Sequence, residues 1–176
     1  WYYAETLRQE KYDLNEDAIK PYFSQEDVHN GLCTVVNKLY GITLTPCDSI
    51  SVYNKDVKTY IVKDADDSLL GVFYSDYMPR ASKRSGAWMS NFREQQEGVR
   101  PLIYNVASFT KPAGDLPSLL TIDEARTMYH EFGHALHGLL TQCKYKGVSG
   151  TSVAQDFVEL PSQIMEHWAV SPEVLK

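Results

Sequence analysis

The sequence predicts an α+β fold in which helices flank a small mixed or antiparallel sheet. Apolar residues recur at helical spacing over residues 24–40 and again over residues 119–145. Between these stretches, residues 50–110 are rich in β-branched and aromatic residues, several of which alternate with polar ones. The 176 residues, with 43% hydrophobic content, are enough for one domain with a core of its own.

Residues 1–48 are predicted to be helical. Residues 1–12 form the first helix, and residues 14–23 form a short second one that contains Pro21. The third helix covers residues 24–40, because Ser24 suits its N-cap and Gly41 suits its end.

The sheet is predicted within residues 49–110, as four or five strands that begin with ISVYN at residues 50–54. The sequence DADDS separates two of the strands and is typical of a turn. Proline and glycine in residues 111–118 predict a loop after the last strand.

Two further helices follow, over residues 119–145 and 155–170. Thr121 suits the N-cap of the first, and acidic residues after it favour its first turn. The sequence KGVSGTS breaks the helical pattern. Pro161 leaves two alternatives for the second helix, which begins either near this proline or near Asp156 with a kink.

Composition argues against some classes of partner. The net charge of −6 argues against nucleic acid and anionic membranes, and no apolar run has the length of a membrane span. The chain has three cysteines and no CxxC pair, which predicts free thiols in a reducing, cytoplasmic compartment. These residues are Cys33, Cys47 and Cys143.

The stretch YHEFGHALHGLL contains the residues most indicative of chemistry. His130 and His134 are four positions apart on a predicted helix, so both imidazoles project from one face and can reach one metal ion. Glu131 is placed to hold a water beside that ion, as in zinc hydrolases with an HExxH motif. Gly133 is unfavourable inside a helix, which predicts that another element or a ligand approaches closely there.

A third ligand is needed, because catalytic zinc usually takes three from the protein. His137 is too far from His130 along one helix, and Leu140 stands where a longer histidine motif would need its third histidine. We expect Glu159 to be this ligand, because an apolar setting between Val158 and Leu160 makes an unpartnered carboxylate unfavourable.

Other polar residues are weaker candidates. Glu166 lies on the same face as Glu159 and either orients a ligand histidine or forms a solvent-facing salt bridge. Asp156 and His167 are further possible ligands, and His29 is interpreted as structural.

HEFGHALH, SGT and DFVELPSQ together resemble the thimet oligopeptidase family of zinc metallopeptidases. The 28 positions from Glu131 to Glu159 match the spacing of that family, and further similar segments extend the resemblance over nearly the whole chain. ASKRSGAWMSNFREQ is closer to the bacterial peptidyl-dipeptidase, or dipeptidyl carboxypeptidase, branch.

The resemblance implies a zincin-like metallopeptidase core with one Zn²⁺ per chain, held by His130, His134 and Glu159 and with Glu131 as general base. It also implies that residues 1–176 are a single domain within a larger catalytic domain. The family stabilises its transition state with a histidine and tyrosines from a later Gly- and Tyr-rich segment, which we expect outside these residues.

The implied function is hydrolysis of short peptides, with release of dipeptides from the carboxyl terminus. An endo-acting oligopeptidase of the same family is the first alternative. A zinc-binding fragment that is inactive without its downstream segment is the second, and a helix with chance histidines is the third. Oligomeric state, side-chain preference and the native metal stay open, since such sites also accept cobalt or manganese.

Overall fold

A computed structural model describes residues 2–12, 16–112, 114 and 116–175. These residues form a five-stranded sheet with helices before and after it in the chain. The α-helices are α1 (Tyr2–Tyr12), α2 (Glu16–Ile19), α3 (Gln25–Tyr40), α4 (Ile122–Leu140) and α5 (Leu160–Ala169). The strands are β1 (Thr43–Pro46), β2 (Lys58–Lys63), β3 (Leu69–Asp76), β4 (Trp88–Arg93) and β5 (Leu102–Val106), and two short 3-10 helices cover Lys20–Tyr22 and Lys146–Val148.

The amino-terminal helices agree with the predicted ones. The Ser24 hydroxyl accepts a hydrogen bond from the Asp27 N–H at 3.0 Å and caps α3, and Gly41 ends the helix with a left-handed φ of 74°. The short second helix is α2, followed by the 3-10 helix that contains Pro21. The predicted helical positions 1, 14 and 15 lie outside the described residues.

The sheet is mixed, with strand order β1-β2-β3-β5-β4. β3 and β5 run parallel, and the other neighbouring strands are antiparallel. The prediction of a strand at residues 50–54 was wrong, and the sheet instead begins at β1, inside the region predicted to be helical. β1 pairs with β2, and its Leu44 packs against the core, whereas Val52 and Tyr53 have no strand partner and stay exposed.

The helix α4 packs against the sheet. The Phe132 ring meets Phe73 of β3 edge-on, with their centroids 5.0 Å apart. The Arg100 side chain donates to the Leu70 carbonyl at 2.8 Å and to the Leu139 carbonyl at 2.9 Å, so one residue links β3 to the end of α4. These contacts fix α4 on a rigid support.

Both carboxyl-terminal helices are shorter than predicted. α4 ends at Leu140 rather than near residue 145, because Thr141 is extended and its hydroxyl accepts from the Gly150 N–H at 3.3 Å. Residues 141–159 form turns and one 3-10 helix, so the predicted helix over 155–170 begins only at Leu160. Pro161 therefore lies in the first turn of α5, which was the first of the two alternatives.

Among the described residues, no helix combines the length and the apolar content that crossing a membrane requires. The cysteines Cys33, Cys47 and Cys143 are free thiols.

Candidate metal centre

The helix α4 carries the HExxH residues and begins with a capping box. The Thr121 hydroxyl accepts from the Glu124 N–H at 3.1 Å, and the Glu124 carboxylate accepts from the Thr121 N–H at 2.9 Å. The helix then continues without interruption past His134. The two imidazoles therefore project from one face, with ring centroids 5.0 Å apart.

Glu159 lies where these two histidines converge. Its Oε2 is 3.3 Å from His130 Nε2 and 3.2 Å from His134 Nε2. Three ligand atoms, one from each of these residues, all lie within 4.8 Å of one another. Tetrahedral zinc with bonds of about 2.0–2.1 Å has its ligand atoms roughly 3.3 Å apart. The two distances from Glu159 Oε2 to the histidine nitrogens are therefore those expected between neighbouring zinc ligands.

His134 lies in an environment that favours its neutral form. Burial lowers the pKa of His134, with Glu159 opposing the shift, and its side chain is only 12% exposed. Its Nδ1 is buried without a hydrogen-bond partner in the described part of the chain. A neutral imidazole is the form that binds a metal, so the environment favours the required protonation state.

An apolar setting was expected for Glu159 between Val158 and Leu160, and this part of the prediction was wrong. Its side chain is 49% exposed, because the residue stands on the turn just before α5 rather than inside a helix. The hydroxyl of Ser162 donates to its Oε2 at 2.7 Å. This hydrogen bond, with the nearby His134 and His130, lowers the pKa of Glu159 despite some desolvation and so keeps the carboxylate ionised.

Glu166 lies behind His130. Its Oε1 is 2.6 Å from His130 Nδ1. A carboxylate only accepts, so the imidazole donates from Nδ1 and leaves the lone pair on Nε2 directed at Glu159. This geometry matches the first of the two predicted alternatives for Glu166, orientation of a ligand histidine.

Glu131 lines a cavity of about 450 Å³ together with His130 and Glu166. The residue is only 7% exposed. Burial raises its pKa, His130 opposes the shift and Glu159 adds to it. A carboxylate with a raised pKa is a stronger base than an exposed one. Arg126 and Ala87 line the same cavity, and sequence reasoning singled out neither.

The remaining candidates lie outside this cluster. His137 has its ring 6.1 Å from the Phe157 ring, and its Nδ1 is buried without a partner among the described residues. Asp156 and His167 are exposed and contribute no donor to the group. His29 lines a separate cleft of about 640 Å³ and stacks on Tyr60, and burial together with Lys58 lowers its pKa to about 4.

Ser162 is the residue at this centre that sequence reasoning missed. It follows Glu159 by three positions, a spacing that brings side chains together in the first turn of a helix. The signal was therefore present in the sequence, but it became visible only once the start of α5 was known.

The whole chain, residues 1–176, matches the model of peptidase family M3. It is 46% identical to the dipeptidyl carboxypeptidase of Salmonella typhimurium, over 99% of this chain and 26% of that protein. It is 40% identical to oligopeptidase A of Escherichia coli, with the same two coverages. The thimet-like oligopeptidase of Dictyostelium discoideum is 37% identical, over 99% of this chain and 27% of that protein.

The chain thus spans about a quarter of the length of these relatives. The match extends over the helices and the sheet alike, and it confirms the resemblance that the HEFGH and DFVE segments indicated. On this evidence, the chain belongs to peptidase family M3.

Proposed function

We propose that this chain is part of the catalytic domain of a zinc metallopeptidase that hydrolyses short peptides. The observation that carries the proposal is the convergence of three donor side chains, those of His130, His134 and Glu159, next to a buried carboxylate, that of Glu131. Two imidazoles and a carboxylate are a ligand set of catalytic zinc, which leaves a fourth position for water or substrate. The names of the relatives, all peptidases, support the same function.

In this proposal, zinc supplies Lewis acidity that polarises the scissile carbonyl and lowers the pKa of water. The chain supplies the proton transfers. Glu131 accepts the proton of the attacking water and delivers it to the leaving amine, a role that its raised pKa suits. Glu166 holds the His130 ring in the orientation that keeps Nε2 free for the metal.

The test of this mechanism is Glu131→Gln. We expect the variant to bind one zinc per chain like the wild type and to lose peptide hydrolysis by about 10²- to 10⁴-fold, because the base is removed and the donors are kept. Zinc is measured by elemental analysis after dialysis, and hydrolysis with a fluorogenic peptide. Because the relatives are about four times longer, hydrolysis is measured on the chain and on a full-length protein that contains it.

The matched control is Asp123→Asn, which removes another carboxylate lining the same cavity. It should retain zinc and hydrolysis. Full hydrolysis by zinc-loaded Glu131→Gln would exclude the general-base role. A wild-type chain that binds zinc but hydrolyses nothing, beside an active full-length protein, would support the alternative of a segment inactive by itself.

We further propose release of dipeptides from the carboxyl terminus, with internal cleavage as the alternative. The identity of 46% to a dipeptidyl carboxypeptidase, against 40% to an oligopeptidase A, favours the first. Two copies of one short peptide, with a free and an amidated carboxyl terminus, separate the alternatives by mass spectrometry of the products. We expect a dipeptide from the free form alone, and equal internal cleavage of both forms would contradict this. A cytoplasmic location stays a prediction.

A further inference from the structure

The carboxylate of Glu159 stands in a position where little packing restrains it. It lies on a turn, is 49% exposed and belongs to a side chain with three rotatable bonds. Its Oε2 nevertheless faces both histidine Nε2 atoms at 3.2–3.3 Å. Some other contact must therefore select this rotamer.

Ser162 provides that contact. It is fully buried, at 0% exposure, and its hydroxyl is 2.7 Å from Glu159 Oε2, the same oxygen that faces the histidines. The hydroxyl is also 2.9 Å from the Glu159 carbonyl oxygen, so it spans the side chain and the backbone of one residue. A buried serine has few alternative rotamers, and its position therefore limits where the carboxylate can lie.

Gly133 explains why Ser162 is so deeply buried. A Cβ added at Gly133 would lie 2.5 Å from Ser162 Cα and 2.6 Å from the Pro161 carbonyl oxygen. Both contacts are to backbone, which cannot rotate away as a side chain does. The first turn of α5 therefore rests directly on α4, one residue before His134, and this close approach was predicted from the sequence.

We propose that Ser162, with the first turn of α5 packed against Gly133, is a positioning residue that holds the Glu159 carboxylate where the two histidines converge. The inference rests on the proposed function, since it concerns the ligand set of that metal centre. It adds a residue that acts on the metal through Glu159 and does not touch the metal itself.

The test is a double-mutant cycle on zinc affinity, measured by competition with a chromophoric chelator. We expect Ser162→Ala to weaken zinc binding roughly tenfold, the change that one hydrogen bond to a charged acceptor makes. In a Glu159→Ala background, the same substitution should produce no further loss, because its effect passes through the carboxylate. The matched control is Ser118→Ala, which removes another buried hydroxyl, 2.6 Å from the Thr110 carbonyl oxygen, far along the chain.

Thermal unfolding without zinc separates positioning from general stability. Ser118→Ala should lower the Tm but leave zinc affinity unchanged. Ser162→Ala should weaken zinc binding even if it lowers the Tm no more than Ser118→Ala does. Unchanged zinc affinity in Ser162→Ala would overturn this inference but leave the proposed function in place. An equal loss in the Glu159→Ala background would also overturn it, and a wild type without zinc would overturn the proposed function with it.

Gly133→Ala gives a second, more severe variant. Its Cβ must displace α5, so we expect a larger loss of zinc affinity than in Ser162→Ala. Gly138→Ala is its control on the same helix, because the added Cβ there meets the ends of the Ile103 and Met89 side chains. Equal zinc affinity in the two glycine variants would contradict the proposal that packing of α5 against Gly133 positions Glu159.

Discussion

Two clusters of charged side chains in this molecule differ in where their positive charge comes from. At the end of β3, Asp76 is 1% exposed and accepts from the two terminal guanidinium nitrogens of Arg80, Nη1 and Nη2, at 2.7 and 2.8 Å. Lys83 donates to it at 3.0 Å and Tyr53 at 2.8 Å. At the other cluster, Glu159 faces two histidines, of which the better buried has a lowered pKa.

The comparison separates a structural cluster from a binding one. Burial would raise the pKa of Asp76, but hydrogen bonds from Arg80, Lys83 and Tyr53 outweigh it and lower the pKa. Its charge is thus balanced within the chain. Around Glu159, the neighbouring nitrogens belong to two imidazoles, which carry no permanent positive charge of the kind that Arg80 and Lys83 supply. Of these two clusters, the second is the one whose three side chains could hold a metal ion.

The largest expected difference is between one substitution in each cluster, because one should affect the stability of the chain and the other its zinc binding. Asp76→Asn leaves the buried Lys83 and the partly exposed Arg80 without their partner, and we expect it to lower the free energy of unfolding by about 3–5 kcal/mol while zinc affinity is unchanged. Glu159→Ala should alter the stability of the metal-free chain by less than about 0.5 kcal/mol. It should remove most of the stabilisation of about 2.7 kcal/mol that zinc at 100 times its Kd gives the wild type, because the two histidines alone bind zinc more weakly.

Both variants are measured by urea unfolding with and without zinc. The control is Asp67→Asn, which removes an exposed carboxylate 3.1 Å from Lys63 and should change stability by less than about 1 kcal/mol. If Asp76→Asn lost zinc binding at a urea concentration where the variant is still folded, the Asp76 cluster would not be purely structural, and the comparison would fail.

Glu166→Ala sharpens the comparison with a smaller effect. We expect zinc affinity to fall about 10- to 100-fold, because the His130 ring loses the acceptor that orients it. Gln163→Ala, at an exposed position of the same helix, should leave affinity unchanged. An effect of Glu166→Ala no larger than that of Gln163→Ala would show that the hydrogen bond seen at 2.6 Å has no influence on the metal.

The sequence predicted α4 and the two histidines well, because capping by Thr121 and helical periodicity are local properties. The structure also brings Glu159 next to the two histidines, as expected from the sequence, and its role as a metal ligand stays a prediction. The apolar setting expected for this residue was wrong. The spacing to Glu131, rather than an apolar environment, was the informative signal. Residues 141–159 were partly misread as helix, because helix formers occur there but tertiary contacts decide the outcome. One such contact is a pair of hydrogen bonds, each 2.9 Å long, between the Gln95 side chain and the Cys143 backbone.

The cluster around Asp76 could not be predicted, because its members meet only after the segment between β3 and β4 folds back over Asp76. Arg80 and Lys83 look like ordinary surface residues in the sequence, yet Lys83 is only 3% exposed. The strand at residues 43–46 was missed because it is short, lies at the edge of the sheet and is extended only through its pairing with β2.

The exchange of the last two strands in the order β1-β2-β3-β5-β4 has a topological consequence. In a simple meander, β4 would lie between β3 and β5. Here the chain leaves β3 beside the Asp76 cluster, passes the carboxyl end of β5 and enters β4 at the border of the sheet. Ala87 stands at the end of this crossing and forms part of the wall beside His130 and Glu131. The permutation of two strands therefore places the start of β4 at the cavity that Glu131 lines, and the ion cluster around Asp76 stabilises the crossing.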